Sequence, residues 1–547
     1  MRISEAVIER LVANGIDTLF GIPGKQTLPL NEAISERTDI EFIMARHETA
    51  VSHQAWGYAE SSGGLAATVV IPGPGDMNAM NGLKNAKNDC TPLVHMAVET
   101  EPDVRGGDGI HETPPNTYDN VVKENVTVET PQSTIAELQR AIDTALTPPK
   151  GPVRVGIPKN FLPMDVSLAD PGETDPHSPA TPADDSVGDA AALLAAAQRP
   201  IIITGGGVRA ADASSELEAV AERLGAPVFP TYKGKAVFPD DHDLFGGVLC
   251  GGTGTAVKEH IAAADAALGV GTDFDAVSMH HWEIDVPDDL VHVTLDAADI
   301  GTGYDPAVGI VADAGRTLAA LDTELAERSI AATGGRERAR ETRTAVDRRL
   351  ADLRAVDESP ITSVSALEAI RDSVPRDAVV TADAGGSRIW ALVAFETYAP
   401  RDYVNPGSWA TMGSSLPSAI GAKAANPDQP VVALVGDGGL MMCVHELHTL
   451  ADEALDVTVV VFTNSDYAII SEDAERNYRM DEGEYGWQDV PLEFDAIASG
   501  MGLETMRAAT PTEITETVTA AIDSDGPTLV EIPTDPYEPQ ASVWLND

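Results

Sequence analysis

The stretch Val431-Val432-Ala433-Leu434-Val435-Gly436-Asp437-Gly438-Gly439 decides how this chain is read. Its first five residues are apolar without a break, as suits a strand buried on both faces of a parallel sheet. The run stops at a glycine-rich turn, residues 440–454 carry a helical pattern, and residues 457–462 form a second apolar run. Asn464 follows that run directly, 27 residues after Asp437. One strand–helix–strand crossover has about this length. Asp437 and Asn464 are therefore expected side by side at the carboxyl ends of adjacent strands, in the crevice where open α/β sheets bind ligands. Glycines let the backbone approach phosphate oxygens, and a helix start offers them N–H groups. The Asp437 carboxylate, the Asn464 amide oxygen and a backbone carbonyl are hard oxygen donors. They suit a magnesium ion that completes its octahedron with diphosphate oxygens and water. A lone Gly-Asp-Gly turn is common, but the spacing to Asn464 makes this one distinctive. Gly436, Asp437, Gly438, Gly439 and Asn464 are read as a metal–diphosphate site.

Working outward, residues 360–547 carry further strand-like runs at 377–381 and 528–532. A charged helical linker at 331–359 precedes this block. Before it, residues 187–330 open on Arg199-Pro200-Ile201-Ile202-Ile203-Thr204-Gly205-Gly206-Gly207, a strand running into a glycine turn. Residues 166–186, rich in Pro, Asp, Ser and Thr, read as a linker. Residues 1–165 alternate helical segments (4–14, 48–59, 78–87) with short apolar ones (40–44, 66–71, 93–98). Such alternation implies parallel sheets with helices on both faces. The expected class is α/β, with three doubly wound parallel-sheet domains. The first and third blocks can be two versions of one architecture, although no strong sequence repeat links them.

Composition agrees. At roughly 100–200 residues per domain, 547 residues make about three domains. Lys and Arg number 36 against 87 Asp and Glu, a formal charge of −51. Nucleic acid and anionic membranes would be repelled by that field. The acid is spread along the chain and the cations are mostly Arg, a balance that resembles proteins of salt-loving organisms. A salt-filled cytoplasm would screen the self-repulsion to a few ångströms. No apolar run approaches the roughly 20 residues of a membrane span, and no signal-peptide core follows Met1, so a cytoplasmic protein is expected. Cys90, Cys250 and Cys443 are far apart, which suggests neither a disulfide framework nor a zinc site.

With these residues in place, a family resemblance emerges. The segment from Ile420-Gly421 through Gly436-Asp437-Gly438-Gly439 to Asn464 resembles the diphosphate motif of thiamine-diphosphate-dependent enzymes. The resemblance implies that Asp437 and Asn464 bind Mg2+ through their side chains and Asp466 through its carbonyl. Some 390 residues upstream, Arg46-His47-Glu48 … Ala55-Trp56-Gly57-Tyr58-Ala59 resembles the segment carrying the cofactor-activating glutamate of the acetolactate synthase and benzoylformate decarboxylase-like branch. Glu48 would hydrogen-bond the aminopyrimidine and favour the imino form, which removes the thiazolium C2 proton. Gly385, Gly386 and Met412 resemble the family's remaining third-domain cofactor contacts, with Met412 holding the cofactor bent. The three blocks become pyrimidine-binding (1–165), middle (187–330) and diphosphate-binding (360–547) domains. The resemblance further implies decarboxylation of a 2-oxo acid to an enamine, which is protonated or attacks a second carbonyl. It also implies a homodimer or homotetramer with active sites at subunit interfaces.

Substrate identity is less legible. Lys25, after the Gly21-Ile22-Pro23-Gly24 turn, could hold an acidic substrate tail as a point charge or be a solvated loop lysine. Cys90 stands where some decarboxylases place a pocket histidine and could be plain lining. His111 could shuttle protons near neutral pH or lie on the surface. Asp473 stands near the position of a tryptophan that acetolactate synthases use for their second substrate, which counts against pyruvate condensation. The leading expectation is a 2-oxo-acid decarboxylase or carboligase. The alternatives are acetolactate synthase proper and a non-catalytic, cofactor-binding regulatory subunit. Gly205-Gly206-Gly207 lacks a full GxGxxG with a downstream acid, so FAD or another nucleotide in the middle domain stays open.

Overall fold

The computed structural model describes residues 1–546 except 108–110, 115, 168–177 and 482. Residues 168–177 of the 166–186 linker expected from the sequence thus lie outside the described residues. The apolar runs form the central strands of three sheets, and every strand pair is parallel. Across the first sheet lie Glu41–Met44, Thr18–Gly21, Ala66–Val70, Leu93–Glu99, Val153–Pro158 and Glu124–Thr127. Across the third lie Tyr403–Val404, Val379–Ala382, Val431–Gly436, Val457–Thr463, Thr528–Pro533 and Glu504–Arg507. Counted in order of appearance within each domain, both sheets run 2-1-3-4-6-5. The first and third blocks are therefore one architecture used twice. The middle sheet, Val308–Val311, Leu290–Thr294, Ala266–Val270, Pro200–Thr204 and Val228–Pro230, has five strands in the related order 2-1-3-4-5.

In each sheet the winding direction reverses between the first and third strands, and a crevice opens there at the carboxyl ends. In the third domain this is the gap between Val379–Ala382 and Val431–Gly436, registered Ala382 to Leu434. In the first it lies between Thr18–Gly21 and Ala66–Val70.

The first and third domains are joined by the helices Glu48–Ser62 and Ser415–Ala425. Residues 50–61 of the former are all buried, so that helix has no solvent face to speak of. Glycines let the two backbones touch. A methyl group at Gly57 would overlap the Ser418 carbonyl, and one at Gly421 would overlap that of Gln54. The helix Gly335–Arg354 lies between the middle and third sheets in the chain.

Two helical stretches differ from expectation. Residues 440–454 do not form one helix but two, Asp437–Cys443 and Glu446–Asp452, interrupted at Val444-His445. Residues 78–87 likewise divide into Pro74–Asn78 and Met80–Asn88. Among the described residues no helix is long and apolar enough to cross a membrane.

Candidate active site

Three successive strand ends build the third-domain crevice. Val379–Ala382 ends in Asp383-Ala384-Gly385, Val431–Gly436 runs into the helix Asp437–Cys443, and Val457–Thr463 ends at Asn464. Between them lies a cavity of about 200 Å³. Gly385, Gly386, Met412, Gly436, Asp437, Gly438, Gly439, Asn464 and Asp466 all line it. Every third-domain residue expected to hold cofactor or metal is thus brought to one place.

Asp437 is buried, and its carboxylate is the hub of the turn. Oδ1 accepts the Gly438 N–H at 2.7 Å, while Oδ2 accepts those of Asn464 at 3.1 Å and Ser465 at 2.7 Å. Burial pushes the Asp437 carboxyl up from its ordinary range, and the three N–H groups oppose that. The Asn464 amide oxygen accepts the Asp466 N–H at 3.1 Å, and the Asp466 carboxylate takes the Ser471 hydroxyl at 2.6 Å. The Asp466 side chain is therefore engaged within the chain, which leaves its carbonyl as the candidate metal donor. Among the described residues no cluster of three His, Cys, Asp or Glu gathers elsewhere as a metal site. The donor set here is one carboxylate with amide and carbonyl oxygens, which fits a magnesium ion sharing its shell with a diphosphate.

The glycines divide into two kinds. Gly385 has φ +146°, closed to other residues, and nothing approaches its missing side chain. It opens the cavity to the first N–H groups of the helix Gly386–Ala394, an arrangement suited to an anion. Gly439 instead makes room for Asp383, whose oxygens a side chain there would overlap. Asp383, which the sequence reading missed, is buried and accepts the N–H groups of Gly413 (2.9 Å), Ser414 (2.8 Å) and Ser415 (3.3 Å). It thereby fixes the loop that delivers Met412.

The first-domain residues gather at the matching crevice of their own sheet. Glu48 begins the helix Glu48–Ser62, and its Oε2 accepts from the Asn78 side chain at 3.0 Å. The turn Gly73-Pro74-Gly75 packs beside it, with the Cβ position of Gly75 only 2.9 Å from Glu48 Oε1. His111 lies on the other side of that turn, its Cα 2.8 Å from the Cβ position of Gly73, and its Nδ1 is buried without a hydrogen-bond partner. A network anchors this assembly. Asp76 accepts from His95 (3.0 Å), Tyr118 (2.7 Å), Thr113 (2.8 Å) and Arg154 (2.7 Å), and Thr113 also accepts the Gly73 N–H at 3.0 Å. Despite burial, the His95 hydrogen bond and the Arg154 guanidinium hold the Asp76 carboxyl far below its ordinary range. Lys25 is exposed on the Gly21–Gly24 turn, where Gly24 abuts Ile71 at the same edge of the sheet.

Cys90 is the exception. It precedes the strand Leu93–Glu99, at the amino end, away from Glu48. It borders a small cavity with Glu60, Asp89, Arg209 and Arg401, where the three domains meet. Burial and the Asp89 carboxylate push its thiol up to about 11, so it is an inert thiol. The structure does not bring it to either crevice. Cys250 and Cys443 are buried and likewise pushed up.

Among the described residues, none of the first domain lines the third-domain cavity. Besides the paired helices, Glu446 joins the two sides within one chain, buried between them. Oε1 accepts the backbone N–H groups of Arg46 (2.8 Å) and His47 (3.1 Å), and Oε2 accepts from Gln54 (3.2 Å) and Thr449 (2.7 Å). The carboxylate thus grips the chain just before Glu48. Sequence reading passed over it because a single helical glutamate carries no signal. In the middle domain, Gly205 and Gly207 pack against the backbone of Gly271, which accounts for the glycines without a nucleotide.

Comparison with known proteins agrees with this division. Residues 1–121 match the N-terminal TPP binding domain of thiamine pyrophosphate enzymes, 187–321 the central domain, and 383–532 the C-terminal TPP binding domain. A probable acetolactate synthase large subunit of Methanocaldococcus jannaschii is 29% identical over 98% of this chain and 93% of its own length. The acetolactate synthase isozyme 1 large subunit of Escherichia coli is 29% identical over 98% of this chain and 94% of its own. A probable 2-ketoarginine decarboxylase of Pseudomonas aeruginosa is 32% identical over 84% of this chain and 81% of its own.

Proposed function

This chain belongs to the thiamine pyrophosphate enzyme family, and on that premise we propose that it is a thiamine-diphosphate- and magnesium-dependent 2-oxo-acid decarboxylase or carboligase. One observation carries the reading: nine residues picked out along 82 positions of sequence, from Gly385 to Asp466, line a single cavity at the switch point of a doubly wound sheet. Bound thiamine diphosphate supplies the nucleophilic carbon and the electron sink for loss of carbon dioxide. Asp437, Asn464 and the Asp466 carbonyl would hold Mg2+, and the N–H groups at the start of the helix Gly386–Ala394 would take diphosphate oxygens. Met412, which lines the cavity, would support the bound cofactor. Glu48 would hold a proton at the aminopyrimidine edge, and His111 would supply a proton-transfer group near the reacting oxygen.

Because Glu48 and the cavity lie apart in one chain, the site is proposed to form between two copies. Glu48 of one then faces the Gly436–Asn464 crevice of the other. The apolar surface around that crevice supports this, since Met441, Met442 and Ile470 are exposed beside it. Lys25, at the rim of the Glu48 crevice, is proposed to contact the substrate tail. A cytoplasm of high salt is the proposed setting, on the strength of the −51 charge.

Acetolactate synthase proper is the second reading, favoured by relatives of that name that match nearly the whole chain. Against it stands Asp473, which engages Arg476 and Asn477 on the outer face of its helix. A silent subunit is disfavoured because Glu48 and the metal donors are both kept. The deciding experiment uses protein purified in molar salt with thiamine diphosphate and Mg2+. A panel of 2-oxo acids is screened for carbon dioxide and for acyloin products. Turnover that vanishes in Glu48→Ala supports the proposal; no turnover of any donor by the wild type sinks it.

A further inference from the structure

We propose that Asn81, a first-domain residue, is a positioning residue for Met412; the inference rests on the reading of Met412 as the cofactor's support. Residues 405–413 reach the cavity without regular secondary structure. Their path is not self-supporting: Ala410 sits at φ 38° and Gly413 at φ 79°, and only the second is a glycine. Asp383 secures the far end of the loop through Gly413, Ser414 and Ser415. Arg388, Lys233 and the Tyr232 carbonyl hold its near end at Asn405 and Pro406, and the contacts to its middle come from the helix Met80–Asn88 of the first domain and the residue after it.

The Asp89 carboxylate accepts the Gly407 N–H at 3.3 Å, and the Asn88 side chain donates to Ser408 Oγ at 3.0 Å. The Lys84 ammonium stands 5.7 Å from the Trp409 ring centre. Asn81 makes the decisive contact. Its Oδ1 accepts both the Trp409 indole N–H at 2.7 Å and the Thr411 hydroxyl at 2.9 Å. One oxygen therefore clamps the residues on either side of strained Ala410, the second of them adjoining Met412. Trp409 is 45% exposed, so apolar burial alone does not hold it. Both lone pairs of the amide oxygen are used, and its NH2 group has no part in the clamp. An aspartate can therefore replace Asn81, whereas leucine of similar size cannot.

The consequence is specific. Without Asn81 the Gly436–Asn464 crevice keeps its diphosphate donors, but Met412 is no longer held at a fixed height. A bound cofactor would then lose a fixed support, and misplacement by about 1 Å is worth up to roughly a hundredfold in rate.

The test compares wild type, Asn81→Leu, Asn81→Asp and Met412→Ala. In the cofactor-free protein, amide hydrogen exchange of residues 405–413 should quicken in Asn81→Leu and stay as in wild type in Asn81→Asp. With thiamine diphosphate and Mg2+ added, Asn81→Leu should bind within about threefold of wild type yet exchange the C2 proton at least roughly tenfold more slowly, with Asn81→Asp close to wild type. Should Asn81→Leu fail to fold, a Trp409→Phe, Thr411→Val double variant removes the same two hydrogen bonds from the loop side. Unchanged C2 exchange in Asn81→Leu, or in that double variant, alongside slowed exchange in Met412→Ala overturns the role of Asn81 and leaves the reading of Met412 intact. Unchanged exchange in Met412→Ala overturns both.

Discussion

Asp437 Oδ2 accepts the backbone N–H of Asn464 at 3.1 Å, so the two residues expected to share a metal ion are joined across the ends of adjacent strands. The same carboxylate holds Gly438 and Ser465. Asp437→Ala therefore removes a metal donor and the acceptor of three N–H groups at once. Magnesium-dependent binding of thiamine diphosphate should weaken at least about a hundredfold by calorimetry. Stability should fall by roughly 1–3 kcal/mol, the cost of orphaned buried donors. Removing Mg2+ with a chelator should reproduce the first effect in wild type and not the second. Wild-type affinity in Asp437→Ala would refute the metal site.

Among the described residues Glu48 makes a single side-chain hydrogen bond, from Asn78, and lies outside the diphosphate crevice. Glu48→Gln should therefore fold as wild type and bind cofactor within a few-fold. Turnover should fall about a hundred- to ten-thousandfold, the range for loss of a positioned acid–base group. Steady-state kinetics with saturating cofactor checks this. A loss confined to cofactor affinity would make Glu48 a binding residue only.

Glu446 is buried, and its hydrogen-bond donors are neutral groups from two domains. Glu446→Ala strands the Arg46 and His47 N–H groups and opens a cavity, which should cost about 2–4 kcal/mol in urea unfolding. Glu446→Gln keeps the shape and one acceptor oxygen and should recover part of that. Because the grip falls just before Glu48, turnover in Glu446→Gln should drop more than stability does. A pure stability loss with wild-type turnover would deny the link.

Much of this was legible in the sequence for definite reasons. Buried parallel strands are nearly continuous apolar runs, so residues 431–435 and 457–462 declared the sheet and the strand ends that carry Asp437 and Asn464. The Gly385 and Gly436–Gly439 turns stood out because backbone must lie near a ligand or another chain segment there. Short edge strands such as Tyr403–Val404 and Glu504–Arg507 gave no signal, being too brief or too polar for a period to show. Asp76, Asp383, Glu446 and Asn81 were illegible for another reason. Each works through partners tens to hundreds of residues away, and a lone polar residue announces no such partner. Cys90 was misplaced because its sequence neighbourhood does not say which end of a strand it occupies.

The carboxyl of Glu538, beside the cofactor cavity, is pushed up to about 7 by burial, against the pull of the Ser363 N–H at 2.6 Å. Folded and unfolded chains are both protonated well below the ordinary value of 4.5. Between there and about 7 only the folded chain keeps the proton. Its contribution to stability is thus complete at low pH, falls as pH rises through that window, and is level above it. Relative to wild type, Glu538→Gln should gain up to about 3 kcal/mol between pH 5 and pH 8 in urea unfolding. Parallel pH profiles of the two proteins would show that Glu538 titrates normally.

The most direct measurement mixes two dead proteins. Glu48→Ala and Asp437→Ala, co-expressed with different tags, should each be inactive as homodimers. Random pairing makes half of the dimers mixed, and each mixed dimer has one intact site, with Asp437 from one chain and Glu48 from the other. Decarboxylation should recover to about a quarter of wild type. Purified mixed dimers with no activity would contradict an active site shared between copies of this chain.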